Sequence, residues 1–153
     1  MVCCSHSVTS VIFTATVINR LCLDRFPGVL AEALSLDEAL DCKASLFPLE
    51  FLNTISVSGL PDHILLLKKG AHYLVMRNCS AKLINGTRVK FLRRVGKCLE
   101  LEIMIGQYAG QVVLLPRFVL ISKDPRFPFT LRRTQFALVN YINSLLSLVR
   151  STH

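Results

Sequence analysis

From His63 onward the chain alternates apolar and polar positions. His63–Leu67 and Tyr73–Arg77 are short apolar runs separated by Lys68-Lys69-Gly70, the pattern of two strands and a turn. Asn85-Gly86 is a favoured tight-turn pair. After it, Arg88 and Lys90 interleave with Val89 and Phe91, which predicts a strand with cations on one face and apolar groups on the other. Leu99, Leu101 and Ile103 alternate with Glu100 and Glu102 in the same way, and Gly96-Lys97 is placed to join the two strands as a hairpin. Val112–Leu115 and Phe118–Ile121 follow as further strands. The succession predicts a small antiparallel β-barrel or curled sheet.

The flanks read differently. Residues 8–26 lean towards a strand at their start and stop at the Phe26-Pro27-Gly28 turn. Ser35 with Glu38 three positions later has the form of a capping box, predicting a short helix over 35–42. Pro48 suits the first position of a second short helix, with Phe51, Leu52 and Ile55 on one face. Residues 122–133, with Pro125, Pro128 and Arg132-Arg133, read as a loop. Leu138, Ile142, Leu145 and Val149 stand at helical spacing and predict a C-terminal amphipathic helix of roughly three turns. The fold class expected is therefore α+β, with short helices before a central β module and a helix after it.

Composition narrows the classes. The chain has 153 residues, 52% hydrophobic and 18% charged, too apolar for an intrinsically disordered chain. Seven Gly and six Pro are far too few for collagen. Unbroken aliphatic runs such as Val112–Leu115 are much shorter than the roughly 20 apolar residues of a membrane-spanning helix. The net charge of +8 is unevenly placed. Residues 1–60 hold three basic and six acidic side chains, whereas residues 61–153 hold fifteen and four. Such a basic excess favours a polyanionic partner, nucleic acid before an anionic membrane surface.

Catalytic chemistry is hard to find. The six cysteines form no C-x-x-C pair, and Cys3, Cys4 and His6 alone are a poor metal set. Met1–Ile18 has no Lys or Arg, so it lacks the charged start of a secretory signal, and free thiols in a reducing compartment are expected. Asn78-Cys79-Ser80 and Asn85-Gly86-Thr87 match the glycosylation pattern by chance on that reading. Neither G-x-x-x-x-G-K-[ST] nor G-x-G-x-x-G occurs. Asp37, Glu38 and Asp41 read as a solvated acidic face. No catalytic residue, metal ligand or bound cofactor is expected in the chain.

Several segments, in order, resemble one family. They are Pro48-Leu49-Glu50-Phe51-Leu52-Asn53, Ser58-Gly59-Leu60-Pro61-Asp62-His63, Leu67-Lys68-Lys69-Gly70, Met76-Arg77-Asn78 and Asn85-Gly86-Thr87-Arg88. Gly106-Gln107-Tyr108-Ala109-Gly110, Leu115-Pro116-Arg117, Pro128-Phe129 and Arg132-Arg133-Thr134-Gln135-Phe136 follow. Together they resemble the C-terminal part of PIF-type DNA helicases, especially the Helitron-transposon-like copies of plants, from near Ile18 to near Phe136. The resemblance implies an ATP- and Mg-dependent 5′-to-3′ DNA helicase in the intact family, working in nuclei or mitochondria, with residues near 47–95 at the start of its 2B module, a small barrel. It divides the chain into a partial RecA-like segment (1–46), a 2B-like β module (47–122), and a loop and helix (123–153).

The sequence also departs from that family. The phosphate loop, the acidic metal-binding motif and the first RecA-like domain are absent from it. Ala137 stands where the family has Pro, and no Thr-x-Asn-Lys-Ser-Gln-Gly stretch follows. The chain thus reads as a truncated helicase, nuclear by family, that retains contact with single-stranded DNA without ATP hydrolysis. The candidate DNA contacts are Lys68, Lys69, Arg88, Lys90, Arg93, Arg94, Arg132 and Arg133, with Tyr73, Phe91 and Tyr108 as aromatic groups able to stack on bases. For Phe91, core packing is the expected fate. For Arg88, Lys90, Arg93 and Arg94, a solvent-facing strand edge that prevents aggregation is an equally weighted alternative. A protein-interaction module, docking the missing helicase domains or another protein, and a transposon remnant without function are the alternatives for the whole chain.

Overall fold

The computed structural model describes residues 17, 18, 20–43 and 45–140. Among these the chain is mostly β, with short helices. Ten strands are present: β1 (Ala31–Leu34), β2 (Leu36–Leu40), β3 (Ile64–Leu67), β4 (His72–Val75), β5 (Arg88–Val95), β6 (Cys98–Ile103), β7 (Val112–Leu115), β8 (Phe118–Ser122), β9 (Thr130–Gln135) and β10 (Leu138–Asn140). One helix, α1 (Leu49–Thr54), lies between β2 and β3. Residues 20–24 are also helical and carry Leu23 into the core.

All strand pairs are antiparallel. They form a two-stranded sheet β1-β3, a five-stranded sheet in the order β10-β4-β5-β6-β7, and a three-stranded sheet in the order β2-β9-β8. The expected barrel is not closed: β10 and β7 are the two edges of the large sheet. The hairpin at Gly96-Lys97 is as expected, with Val95 opposite Cys98. Gly96 sits at φ 57°, in the left-handed region that glycine reaches without a steric penalty.

Alternation along β5 and β6 sends Val89, Phe91, Leu99, Leu101 and Ile103 into one core, where they meet Tyr73, Val75, Leu115, Phe136 and Leu138. A second, smaller core gathers Leu52 and Ile55 of α1 with Leu60, Leu120, Phe129 and Leu131, against Phe47 and Phe127. Burying each such aliphatic or aromatic side chain contributes about 1.5–3 kcal/mol.

Three expectations are corrected. Residues 36–40 are strand β2, not a capped helix. The Ser35 hydroxyl donates to the nearby Asp37 Oδ1 (2.7 Å) and bonds His63 Nδ1 (2.8 Å) across the fold, and these two partners take it away from a capping role. The stretch read as a loop over 122–133 enters β9 at Thr130, because Arg132 and Arg133 pair across to Glu38 and Asp37 of β2. Leu138–Asn140, the start of the expected C-terminal helix, is a strand on β4, with Leu138 in the large core. The remainder of that helix, the possible strand over residues 8–16 and the Cys3-Cys4-His6 group lie outside the described residues. Helix α1 is as expected, beginning one residue after Pro48. Strand pairs cross the expected divisions of the chain: β1 pairs with β3, β2 with β9, and β10 with β4.

Candidate nucleic-acid interface

The outward face of the large sheet carries the chemistry. On β5, Arg88 and Lys90 point away from Val89 and Phe91, about 6–7 Å apart as alternate residues of one strand. Strict alternation would turn Arg93 inward. A register shift between Phe91 and Arg93 absorbs Leu92, so Arg93 stands opposite Glu100 on the same outward face. The β3–β4 turn lies against this stretch, since the Gly70 N–H donates to Phe91 O (2.8 Å) and the Phe91 N–H donates to Ala71 O (3.0 Å). Exposed Lys69 in that turn therefore adjoins the bulge. Arg94, exposed, stands opposite core Leu99 and so projects from the other face at the hairpin end, where exposed Lys97 lies in the turn.

This row is partly neutralised from β6. Lys90 Nζ lies 3.0 Å from Glu102 Oε2, and Arg93 is hydrogen-bonded and ion-paired to Glu100. The hydrogen bond and charge of Glu100 raise the Arg93 pKa further above its ordinary value. Exposed pairs of this kind contribute about 0–1 kcal/mol, so they yield to a competing anion. Arg94 Nε donates to Gly96 O (3.3 Å).

The structure separates the eight predicted cations. Lys69, Arg88, Lys90, Arg93 and Arg94 fall on β5 and its adjoining turn. Arg132 lies on the other sheet, exposed and 3.2 Å from Glu38. Lys68 is only 6% exposed. Arg133 is fully buried and is not available to a phosphate in this fold. Its Nε and Nη2 grip Asp37 at 2.8 Å each, Nη1 donates to Ile55 O (3.0 Å) and Pro61 O (3.1 Å), and Nη2 also donates to Leu52 O (3.1 Å). All five N–H groups are used, and the C-terminal carbonyls of α1 gain a donor. Asp37 is thus a buried partner rather than part of a solvated face; Glu38 pairs with Arg132, and Asp41 accepts from Thr130 Oγ1 (2.9 Å). The signal for this was an acidic pair, Asp37-Glu38, matched by a cationic pair, Arg132-Arg133; only β2–β9 register joins them.

Two of the three candidate stacking groups are core. Phe91 is 5% exposed and Tyr73 is fully buried. The Tyr73 hydroxyl donates to Leu66 O (2.8 Å) and accepts from the Lys68 N–H (3.2 Å). Burial pushes its pKa up to about 12, against a smaller lowering by the Lys68 N–H. Tyr108 alone of the three keeps part of its surface in solvent, and Lys82 Nζ lies 5.7 Å from its ring centroid.

Among the described residues no cluster of His, Cys, Asp and Glu has the makings of a metal site, and no helix is long and apolar enough to cross a membrane.

Residues 50–93 match the family model for DNA helicase Pif1, 2B domain. Comparison with curated proteins finds no match. Solved structures with a similar fold include the Pif1 helicase from Candida albicans, at 17% identity and TM-score 0.63 over 84% of this chain and 32% of that one. Unliganded Pif1 from Bacteroides sp. is similar at 15% identity and TM-score 0.55, over 83% of this chain and 36% of that one. Bacteroides Pif1 bound to ssDNA is similar at 14% identity and TM-score 0.52, over 83% of this chain and 28% of that one. The chain therefore spans about a third of the length of these structures.

Proposed function

We propose that this chain, which is similar to the part of Pif1-type helicases that holds the 2B domain, is a single-stranded DNA contact module of such a helicase. The observation that carries the reading is one of position. Lys69, Arg88, Lys90 and Arg93 all fall within the segment matching the 2B domain, and the fold arrays them along one strand and its adjoining turn. A structure of similar fold is that of a Pif1 bound to ssDNA, which supports the choice of partner. Contacts of this kind go to phosphates and carry little base specificity. The order of the sequence motifs supports a place among Helitron-like plant copies, and a nuclear location goes with it. These 153 residues contain no phosphate loop, so neither ATP nor Mg is expected to bind them.

The test is binding of a fluorescently labelled oligonucleotide across a salt series. Four phosphate contacts, one from each of these cations, give a slope of log K against log salt of about −2.8 for a single strand. Absence of binding at low salt overturns the reading. No DNA-stimulated phosphate release from ATP is expected, and release above a mock preparation contradicts that part.

A second reading, docking of the remaining helicase domains or of another protein, is favoured by one observation. The outward face of β2-β9-β8 exposes Leu36, Val119 and Ile121 at 68%, 50% and 55% around the Arg132–Glu38 pair. Strand β8 is apolar on both faces, the pattern of a strand meant to be covered. Loss of a protein contact in Ile121→Glu, with oligonucleotide binding intact, separates the two readings.

A further inference from the structure

A nucleobase needs an aromatic face beside a charged track, and one place on this sheet supplies both. The turn after β6 is held tightly: the Gly110 N–H donates to Ile103 O (2.7 Å), Gln111 N–H to Tyr108 O (3.1 Å) and Ala109 N–H to Gly106 O (3.2 Å). Tyr108 in this turn packs part of its ring on the large core and leaves the rest in solvent. The facing loop is equally fixed. The Cys79 N–H donates to Leu83 O (2.7 Å), the Leu83 N–H to Ser80 Oγ (3.1 Å), and Leu83 is 2% exposed. Lys82 beside it is exposed, pairs with no carboxylate among the described residues, and holds its ammonium 5.7 Å from the Tyr108 centroid. The Met104 N–H donates to Arg88 O (3.0 Å), so the turn that carries Tyr108 begins beside Arg88, at that end of β5.

We propose that Tyr108 and Lys82 form a nucleobase platform at that end of the row: the phenol ring stacks on one base, and the Lys82 ammonium swings from the ring to the phosphate of the same nucleotide. The inference rests on the reading of β5 as a track for a single-stranded backbone. Other cation–aromatic pairs serve less well. Arg117 lies 5.2 Å over Phe136, whose ring is fully buried, and Arg126 over Phe127 is committed to Asp124 at 2.7 Å.

Two labelled oligonucleotides of equal length test the platform, one of ordinary thymidines and one with every base replaced by an abasic site. Stacking is worth about five- to 150-fold in affinity per base. Tyr108→Leu, which keeps an apolar side chain against the core, is expected to weaken binding of the ordinary strand by that factor and to leave the abasic strand unchanged. Tyr108→Trp is expected to bind the ordinary strand at least as tightly as wild type. Lys82→Gln, a surface change that does not burden folding, is expected to make the salt slope on both strands shallower by about 0.7. If wild type binds but Tyr108→Leu discriminates the two strands as wild type does, the platform is wrong and the cation row stands. Unfolding of Tyr108→Leu in a thermal melt leaves the decision to the other two variants: Tyr108→Trp weakening the ordinary strand, or Lys82→Gln leaving the slope unchanged, overturns the platform. If wild type binds neither strand, the row and the platform fall together.

Discussion

Tyr73 shows what a single buried polar group does here. Its ring fills the large core, and its hydroxyl closes the β3–β4 turn by accepting from the Lys68 N–H and donating to Leu66 O. Burial holds the phenol protonated up to about 12, whereas the unfolded chain releases the proton near its ordinary value of 10.0. Between those two values the native state binds more protons than the unfolded state. The contribution of Tyr73 is therefore fully present below pH 10 and is lost as pH rises through the folded pKa. Tyr73→Phe is expected to lower stability by about 1–3 kcal/mol at neutral pH through two lost hydrogen bonds. It should also flatten the decline between about pH 10 and 12. Urea unfolding followed across pH measures both. Phe91 was legible as core from its place between Arg88, Lys90 and the cations that follow. Tyr73 was not, because a tyrosine in a short apolar run suits a base-stacking surface as well as a core, and only its two backbone partners distinguish them.

At the scale of the element, β5 and β6 form a charge ladder. Alternation alone aligned Arg88 with Lys90, and Glu100 with Glu102. It did not reveal that the bulge at Leu92 returns Arg93 to the outward face, since a bulge has no reliable signature in side-chain pattern. Nor did it place β5 in the interior of its sheet, where its cations meet the carboxylates of β6 rather than guard an edge. If phosphates compete with Glu100 and Glu102, the double change Glu100→Gln, Glu102→Gln should tighten single-strand binding by about 2–5-fold, at a cost in stability below about 1 kcal/mol. Titration of a labelled oligonucleotide and a thermal melt check the two expectations; unchanged affinity excludes Lys90 and Arg93 from the contact.

Across the whole molecule, one arginine joins elements far apart in the chain. Arg133 on β9 binds Asp37 on β2, the last carbonyls of α1 and Pro61 before β3, and Gln135 adds bonds from its Nε2 to Ala33 O (2.8 Å) and His63 O (3.0 Å). Arg133→Ala strands a buried carboxylate and is expected to cost about 3–5 kcal/mol in urea unfolding, whereas Arg132→Ala, breaking an exposed pair, should cost about 0–1 kcal/mol. Equal effects from the two neighbours contradict the assignment. The sequence by itself determined the hairpin strands from His63 to Ile121, the turn at Gly96, the start of α1 and the concentration of positive charge, because period-two alternation and turn chemistry are local. Tertiary structure alone decided that Ser35–Leu40 is extended, that Leu138 begins a strand, that the sheets stay open, and which of two adjacent arginines faces water. Those outcomes depend on partners up to a hundred residues away: the capping box at Ser35 yields to a buried ion pair, and Leu138–Asn140 yield to the open edge of β4.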